Sequence, residues 1–202
     1  MLLRLFETLS LGFFCGLIPG PIVTAVFVET IRKGWLSARR IVWIAAAGET
    51  VMSITCVLAA SILNPKHPLF SALSFFGAIL LFSLAWDLWK TIQINEEDPL
   101  FSRRRIFFIS LFNGMAWIFW ITVCTPQAMA LDVALPFGRW IFIVLFEIGW
   151  LSSTLLLANF TERFRAYFQA NKKLHLLYRT VAIFFLFFGT KLVIESAKRL
   201  VN

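Results

Sequence analysis

Long apolar stretches, separated by short polar segments, dominate the pattern of this 202-residue chain. A helix of about 20 mostly apolar residues is needed to cross the hydrocarbon core of a bilayer. Six stretches reach that length, at 9–31, 41–63, 69–92, 106–124, 140–160 and 176–197. The pattern therefore predicts an all-α integral membrane protein with six transmembrane helices in a single transmembrane domain, residues 1–202.

Composition supports the same class of protein. Hydrophobic residues make up 59% of the chain and charged residues only 15%, which is too few to form the charged shell of a soluble domain. The three cysteines, Cys15, Cys56 and Cys124, all lie inside apolar stretches without a paired spacing. This arrangement is typical of packing residues rather than a disulfide framework or a metal site. We therefore expect no metal, no cofactor and no catalytic residues, and thus no enzyme.

The net charge of +8 is unevenly distributed along the chain. Alternate loops between the predicted helices hold 13 of the 19 lysines and arginines. Cytoplasmic loops of membrane proteins carry such an excess, so the pattern predicts three cytoplasmic loops and two periplasmic termini. The basic residues then face anionic lipid, and the lipid bilayer rather than nucleic acid is the expected partner.

The first apolar stretch contains the helix-breaking sequence Pro19-Gly20-Pro21 at its centre. Proline lacks a backbone N–H, and in hydrocarbon the carbonyls it leaves free need other partners. Transporters use such interrupted helices to present backbone groups to a solute, although a lone proline can also produce a plain kink. Three consecutive breakers favour a functional interruption that faces the interior of the bundle.

Glycines recur every fourth residue before this break. Gly12, Gly16 and Gly20 lie on one face of the first predicted helix. A small residue at every fourth position lets a neighbouring helix approach closely. We interpret Gly12 and Gly16 as helix-packing positions that place the first helix centrally.

Two acids and one base lie well inside apolar stretches. Glu49 and Glu147 belong to the second and fifth predicted helices, and Lys191 belongs to the sixth. Ionisable residues at such depth are costly and are usually functional, so all three are candidates for the substrate or coupling-ion path. In the structural alternative, each acid is protonated and hydrogen-bonded to a neighbouring helix. Lys191 is expected to pair with Glu147, or else to extend outward or pair with Glu195.

The two halves of the chain share features in the same order. The first and fourth predicted helices carry the Pro-Gly-Pro break and Asn113, respectively. The second and fifth carry Glu49 and Glu147, each close to a glycine, and the third and sixth each carry a Phe-Gly pair. Two sets of three helices have opposite orientations. The pattern therefore predicts inverted repeats covering about 1–95 and 103–202.

The blocks GLIPGPIVTAVFVETIRKGW, AAAGE, FNGMAWIFW and FFLFFGTKLV resemble, in order and spacing, the LysE/RhtB family of translocators. The resemblance implies a six-helix exporter of amino acids or related metabolites in the bacterial inner membrane, driven by the proton gradient. By position, Pro19, Gly20 and Pro21 match the hallmark break of the family, and Glu49 takes the place of an acid that is often Asp. Asn113 matches the Asn of an Asn-Pro motif whose proline is absent here.

Two alternatives to an exporter remain open from the sequence. A membrane thiol–disulfide relay would need paired cysteines, and Cys15 and Cys124 lie in the first and fourth apolar stretches. A structural or assembly membrane protein would leave Glu49 and Glu147 without an explanation. The exporter hypothesis implies a small amphipathic solute and protons as partners, and it leaves the number of subunits open, a homo-oligomer included.

Overall fold

The computed structural model describes residues 1–18, 20–59, 68–90, 101–170 and 174–201, which form helices joined by short turns, without a strand. A π-helical turn, Trp120–Cys124, joins the sixth helix to the seventh. In chain order the helices are α1 (Leu2–Cys15), α2 (Pro21–Lys33), α3 (Trp35–Leu58), α4 (Pro68–Lys90), α5 (Arg103–Leu111), α6 (Gly114–Phe119), α7 (Thr125–Ala134), α8 (Gly138–Glu162), α9 (Arg165–Ala170) and α10 (Leu174–Val201). The predicted all-α class is confirmed for the described residues.

Three helical segments of the described chain are long and apolar enough to cross a membrane: Trp35–Leu58, Arg103–Ala134 and Gly138–Glu162. A shorter apolar helical stretch, Phe75–Trp86, lies within α4. The apolar stretch at 9–31 is divided between α1 and α2, of 14 and 13 residues, so neither reaches spanning length alone. The count of six transmembrane helices and the inverted repeat stay predictions.

The first apolar stretch is interrupted where its sequence predicted. α1 ends at Cys15, and Gly20 has extended backbone (φ −133°, ψ −178°) immediately before α2. A residue that precedes proline is disfavoured in the α region, so Pro21 ends any helix coming from its N-terminal side. Pro21 itself stands at the first helical position, where a missing N–H costs no helical hydrogen bond. Pro19 lies outside the described residues.

A second interruption separates α5 from α6. The chain leaves α5 at Leu111 and re-enters a helix at Gly114, with Asn113 in extended conformation (φ −72°, ψ 91°) between them. The indole N–H of Trp117 donates to the Leu111 carbonyl at 2.6 Å, so one carbonyl released by the break is satisfied by a side chain. The fourth predicted helix is thus broken without the proline that breaks the first.

Helices from the two halves of the chain pack in three principal pairs, α1 on α8, α3 on α5 and α4 on α10. Glycines allow two of these pairs to approach closely. A Cβ at Gly12 would collide with the backbone of Phe146, and one at Gly149 would lie 2.7 Å from the Phe13 nitrogen. A Cβ at Gly48 would lie 2.9 Å from a carbonyl oxygen of α5. Backbone contact, rather than interdigitated side chains, therefore fixes the spacing of these helices.

The turn between α2 and α3 is tied to the C-terminal end of α8. Gly34, at φ 85°, occupies the left-handed region that favours glycine and lets α3 begin directly after α2. The next amide, that of Trp35, donates to Glu162 Oε2 at 2.8 Å. Arg165 lies 3.5 Å from Glu162 Oε1 and donates to the carbonyl of Ile31 at 3.3 Å. These bonds hold one end of α2, α3 and α8 together.

Candidate functional site

A cavity of about 370 Å³ lies inside the bundle, next to both helix interruptions. Its wall includes residues from α1, α2, α3, α4, α8 and α10 and from the segment around the α5–α6 break. This volume is in the range of pockets that bind small molecules. The cavity is the candidate site because five of the residues that the sequence singled out line it, namely Gly20, Pro21, Glu49, Asn113 and Lys191.

The start of α2 forms one side of the cavity. Gly20, Pro21, Ile22 and Val23 all line it, and no side chain of the described residues caps the first turn of α2. The first amides of a helix have no intrahelical partner, and the helix dipole makes this end favourable for negative charge. This end of α2 can therefore receive an anionic group.

The α5–α6 break forms a second side. Asn113 lines the cavity and precedes α6 without making a capping hydrogen bond through its side chain. Ser110 also lines the cavity, and its hydroxyl donates to the Ala45 carbonyl at 2.8 Å, which fixes α5 against α3. The Asn113 amide group thus offers both a donor and an acceptor to a solute.

Two side chains of opposite charge type line the same cavity. Glu49 projects from α3 and is half-buried, and Lys191 projects from α10 and is exposed. The indole N–H of Trp120 lies close to the Glu49 carboxyl group without meeting hydrogen-bond geometry. The cavity therefore combines one acid and one base, on separate helices, with an uncapped helix N-terminus.

Glu147 occupies a different position. Its side chain, on α8, is only 8% exposed and is not among the described residues that line the cavity. Neither carboxyl oxygen has a hydrogen-bond partner among the described residues, although Thr50 and the Glu49 carboxyl group lie close by. The expected ion pair between Glu147 and Lys191 is not found among the described residues. The side chain of Glu195, the other expected partner of Lys191, lies outside the described residues.

Four aromatic side chains form part of the apolar wall, and the sequence analysis did not propose them as site residues. Phe119, Phe146, Trp150 and Phe188 line the cavity, and Phe146 and Trp150 are almost fully buried one turn apart on α8. Their spacing marks one face of a helix, but a helix that is apolar all round gives no signal for which face meets a cavity. Only the tertiary structure shows that these aromatic residues line a cavity, whereas other buried aromatic residues pack in the core.

The remaining predicted positions lie beside the cavity. Gly12 on α1 and Gly16, which directly follows α1, both contact α8, and the Thr154 hydroxyl is 3.4 Å from the Gly16 carbonyl. Cys15 lines the cavity and is half-buried, whereas the other two cysteines are fully buried, and all three are free thiols. No cluster of three His, Cys, Asp or Glu side chains suited to a metal ion occurs among the described residues.

A cavity of solute size beside two interrupted helices, within a bundle that has several membrane-spanning segments, is the arrangement found in secondary transporters. The family comparison agrees: the model of the LysE type translocators matches residues 13–196 of this chain. The chain belongs to this family, and the resemblance stated from its sequence blocks is confirmed. It is therefore a multi-pass membrane protein and an exporter of amino acids or related compounds. Neither the curated proteins nor the solved structures give a match.

Proposed function

We propose that this protein exports a zwitterionic amino acid across the bacterial inner membrane in exchange for protons. The observation that carries the proposal is the cavity in which Glu49, Lys191 and the uncapped start of α2 come together. A zwitterion presents one cationic and one anionic group, and both find a complementary group in this cavity. The coupled movement of protons needs an ionisable side chain at the solute site, and Glu49 meets that requirement.

Recognition of the solute is divided between the two sides of the cavity. The α-ammonium group of the amino acid binds Glu49, and its carboxylate binds Lys191 and the first free amides of α2, at Ile22 and Val23. The side chain of the solute packs against the aromatic wall around Phe146 and Trp150. The proposal predicts apolar or moderately polar amino acids as substrates, since no further described acid lines the cavity for a second cationic group.

Proton coupling follows from competition for one carboxylate. Glu49 binds either a proton or the ammonium group, so arrival of a proton from the periplasm favours release of the solute, and loss of that proton to the cytoplasm restores binding. Glu147 lies next to Glu49, and its charge state changes the affinity of Glu49 for a proton. Glu49 is thus the coupling group, and Glu147 modulates it.

The test uses the purified full-length protein in liposomes. Efflux of radiolabelled neutral amino acids is measured with and without an imposed pH gradient, alongside liposomes that lack protein. The Lys191→Gln variant should weaken amino-acid binding while leaving a pH response, because it removes the carboxylate partner and not the proton carrier. Absence of transport for every neutral amino acid, in protein that is folded and correctly inserted, would refute the proposed substrate class.

A cellular experiment identifies the solute independently. Metabolites are profiled in cells that lack the protein and in cells that overproduce it. The substrate should accumulate in the cytoplasm of the deletion strain and in the medium of the overproducer. Unchanged amino-acid pools in both strains would direct attention to other amphipathic metabolites.

The orientation of the chain is part of the proposal. The 13 basic residues of alternate loops support cytoplasmic loops after the first, third and fifth predicted helices, and periplasmic termini. Reporter fusions at residue 97 or 170 should behave as cytoplasmic, and a fusion at residue 202 as periplasmic. A cytoplasmic C-terminus would require a different number of spans.

The packing of the helices supports the inverted repeat. A twofold axis that exchanges the two halves would relate the α1–α8 pair to the α5–α3 pair and would map the α4–α10 pair onto itself. These are the three principal pairs of the bundle. Each of the first two pairs also has a glycine at the helix contact, within two residues of a glutamate: Gly149 contacts α1 and Gly48 contacts α5.

A further inference from the structure

An open groove of about 510 Å³ lies on the outside of the bundle between α3 and α5, away from the solute cavity. Trp43, Ile44 and Ala47 form its α3 side, and Phe107 and Phe108 form much of its α5 side. Trp43 is 58% exposed and Phe108 42% exposed. This α3–α5 groove has no residue in common with the solute cavity, and its apolar floor faces the lipid.

Two arginines close one end of the α3–α5 groove. Arg103 and Arg104, the first residues of α5, line it and are exposed. Neither side chain has a hydrogen bond or an ion pair within the part of the chain that the structure describes. Guanidinium groups bind phosphate in a bidentate manner, so an uncompensated pair of arginines attracts a phosphate-bearing group.

The polar and apolar parts of the groove are ordered by depth in the membrane. α3 and α5 run in the same direction, because residues 43–47 and 103–108 line the groove together, whereas the later residues Glu49 and Ser110 line the solute cavity. Both helices also carry their basic residues near their first turns. The arginines therefore lie at the headgroup end, and Phe107 and Ala47 lie one or more turns deeper. A phospholipid has the same order, with its phosphate above its acyl chains.

We propose that the α3–α5 groove is a binding site for an anionic phospholipid, whose phosphate binds Arg103 and Arg104 and whose acyl chain fills the apolar floor. Basic pockets between membrane helices bind anionic headgroups in this way. The site goes beyond transport and depends only on the embedding of the chain in a membrane. Because Gly48 and Ser110 join α3 and α5 behind the groove, the bound lipid reinforces the helix that carries Glu49.

The chain provides a matched control for the charge. Arg39 and Arg40 on α3 are also adjacent, exposed and near the same basic end, but they do not line the groove. The Arg103→Gln/Arg104→Gln variant and the Arg39→Gln/Arg40→Gln variant therefore remove equal charge from the same side of the membrane. A difference between them isolates the groove from the general basic surface.

The experiment measures lipid retention by native mass spectrometry of the full-length protein, with phosphatidylglycerol and phosphatidylcholine of identical acyl chains. Wild type should retain phosphatidylglycerol more strongly, and Arg103→Gln/Arg104→Gln should weaken retention roughly 10- to 30-fold, from about 1 kcal/mol for each basic side chain near the surface. Arg39→Gln/Arg40→Gln should weaken it less than about threefold. The thermal midpoint of each variant without lipid verifies folding.

A second variant tests the apolar floor without changing charge. Ala47→Trp fills the groove with a bulky side chain on the exposed side of α3, and it should reduce phosphatidylglycerol retention while Arg103 and Arg104 are intact. Equal loss in both arginine variants, or equal retention of the two lipids by wild type, would overturn the proposal. Displacement of the lipid by inorganic phosphate, with Ala47→Trp retaining the lipid, would also overturn it in favour of a free-anion site.

Discussion

Glu49 and Glu147 occupy comparable places in the chain and different places in the structure. Each lies in the middle of a long helix, α3 or α8, close to a glycine that packs against a helix of the other half. Glu49 lines the solute cavity beside Asn113 and Lys191, whereas Glu147 lies behind it, buried and without a hydrogen-bond partner among the described residues. A position deep inside an apolar helix therefore does not by itself identify a residue that lines the cavity.

The difference has a simple geometric origin. Successive residues on an α-helix are separated by 100° around the axis, at 3.6 residues per turn. Glu49 directly follows its packed glycine, Gly48, whereas Glu147 precedes Gly149 by two residues. The two acids are consequently rotated differently relative to the helix contacts that their glycines make. Although Glu49 and Glu147 are equivalent in sequence order, Glu49 therefore lines the cavity and Glu147 does not.

The largest expected effect tests this comparison directly. Glu49→Gln keeps size and hydrogen bonding but cannot carry a proton, so pH-driven efflux from liposomes should fall to the level of protein-free vesicles. Glu147→Gln should reduce efflux by less than about tenfold, equivalent to about 1.4 kcal/mol. Glu49→Asp should retain part of the activity. If both Gln variants respond to the gradient like wild type, the coupling site lies elsewhere.

A second comparison contrasts the proline-based break of α1–α2 with the proline-free break of α5–α6. Replacing Pro19 and Pro21 together with Ala permits a continuous helix through Gly20 and withdraws the start of α2 from the cavity. The double variant should insert and accumulate normally but transport poorly. Efflux at wild-type rates, measured at matched protein levels, would instead indicate that the Pro-Gly-Pro motif only kinks the helix.

The two glycines near the buried acids, Gly48 and Gly149, should differ in how well they tolerate substitution by alanine. In Gly149→Ala the new Cβ would collide with the Leu9 carbonyl and lie 2.7 Å from the Phe13 nitrogen, both backbone groups that cannot move cheaply. Overpacking of this kind costs about 1–3 kcal/mol, and we expect the upper part of that range. Gly48→Ala, whose nearest contact is 2.9 Å, should cost nearer the lower part.

Thermal unfolding in detergent measures both glycine variants. Gly20→Ala is the matched control, because its Cβ would meet only one atom, 3.9 Å away, in an extended backbone that any residue adopts. Its midpoint should equal that of wild type. A larger loss for Gly48→Ala than for Gly149→Ala would contradict the assigned packing of α1 on α8.

Removal of the isolated carboxyl group should raise stability. Glu147→Met replaces two buried oxygens, which have no hydrogen-bond partner among the described residues, with an apolar side chain of similar length, and an unsatisfied buried polar group costs about 1–3 kcal/mol. The thermal midpoint should therefore increase. Glu49→Met should bring no comparable gain, because Glu49 borders an open cavity. A lower midpoint for Glu147→Met would indicate that Glu147 has a stabilising partner.

The smallest expected effect concerns the thiols. Simultaneous replacement of Cys15, Cys56 and Cys124 with Ala or Ser should leave efflux largely unchanged, because the exporter hypothesis assigns them no chemistry. Loss of activity in the variant with Cys15 and Cys124 replaced, at normal protein levels, would instead favour the thiol–disulfide relay.

The local pattern of the sequence was sufficient to predict the all-α class, the first helix break and the family. Long apolar stretches predict membrane helices because a helix satisfies its own backbone hydrogen bonds in the hydrocarbon core. Pro21 interrupts a helix because it lacks a backbone N–H and clashes with the preceding turn, whatever the surroundings. The family resemblance, carried by short blocks in a fixed order, is confirmed over residues 13–196. These features depend on residues near one another in the chain, so they can be read without a structure.

Which residues line the cavity depends on the tertiary structure. The absence of Glu147 from the described lining, the placement of Lys191 in the same cavity as Glu49, and the aromatic residues Phe146 and Trp150 all depend on which helix covers which face. A membrane helix is apolar on every side, so its sequence does not mark the face that meets a cavity. The face that meets the cavity depends on how each helix is rotated against its neighbours. Glycine contacts between helices that are far apart in the sequence help to set this rotation.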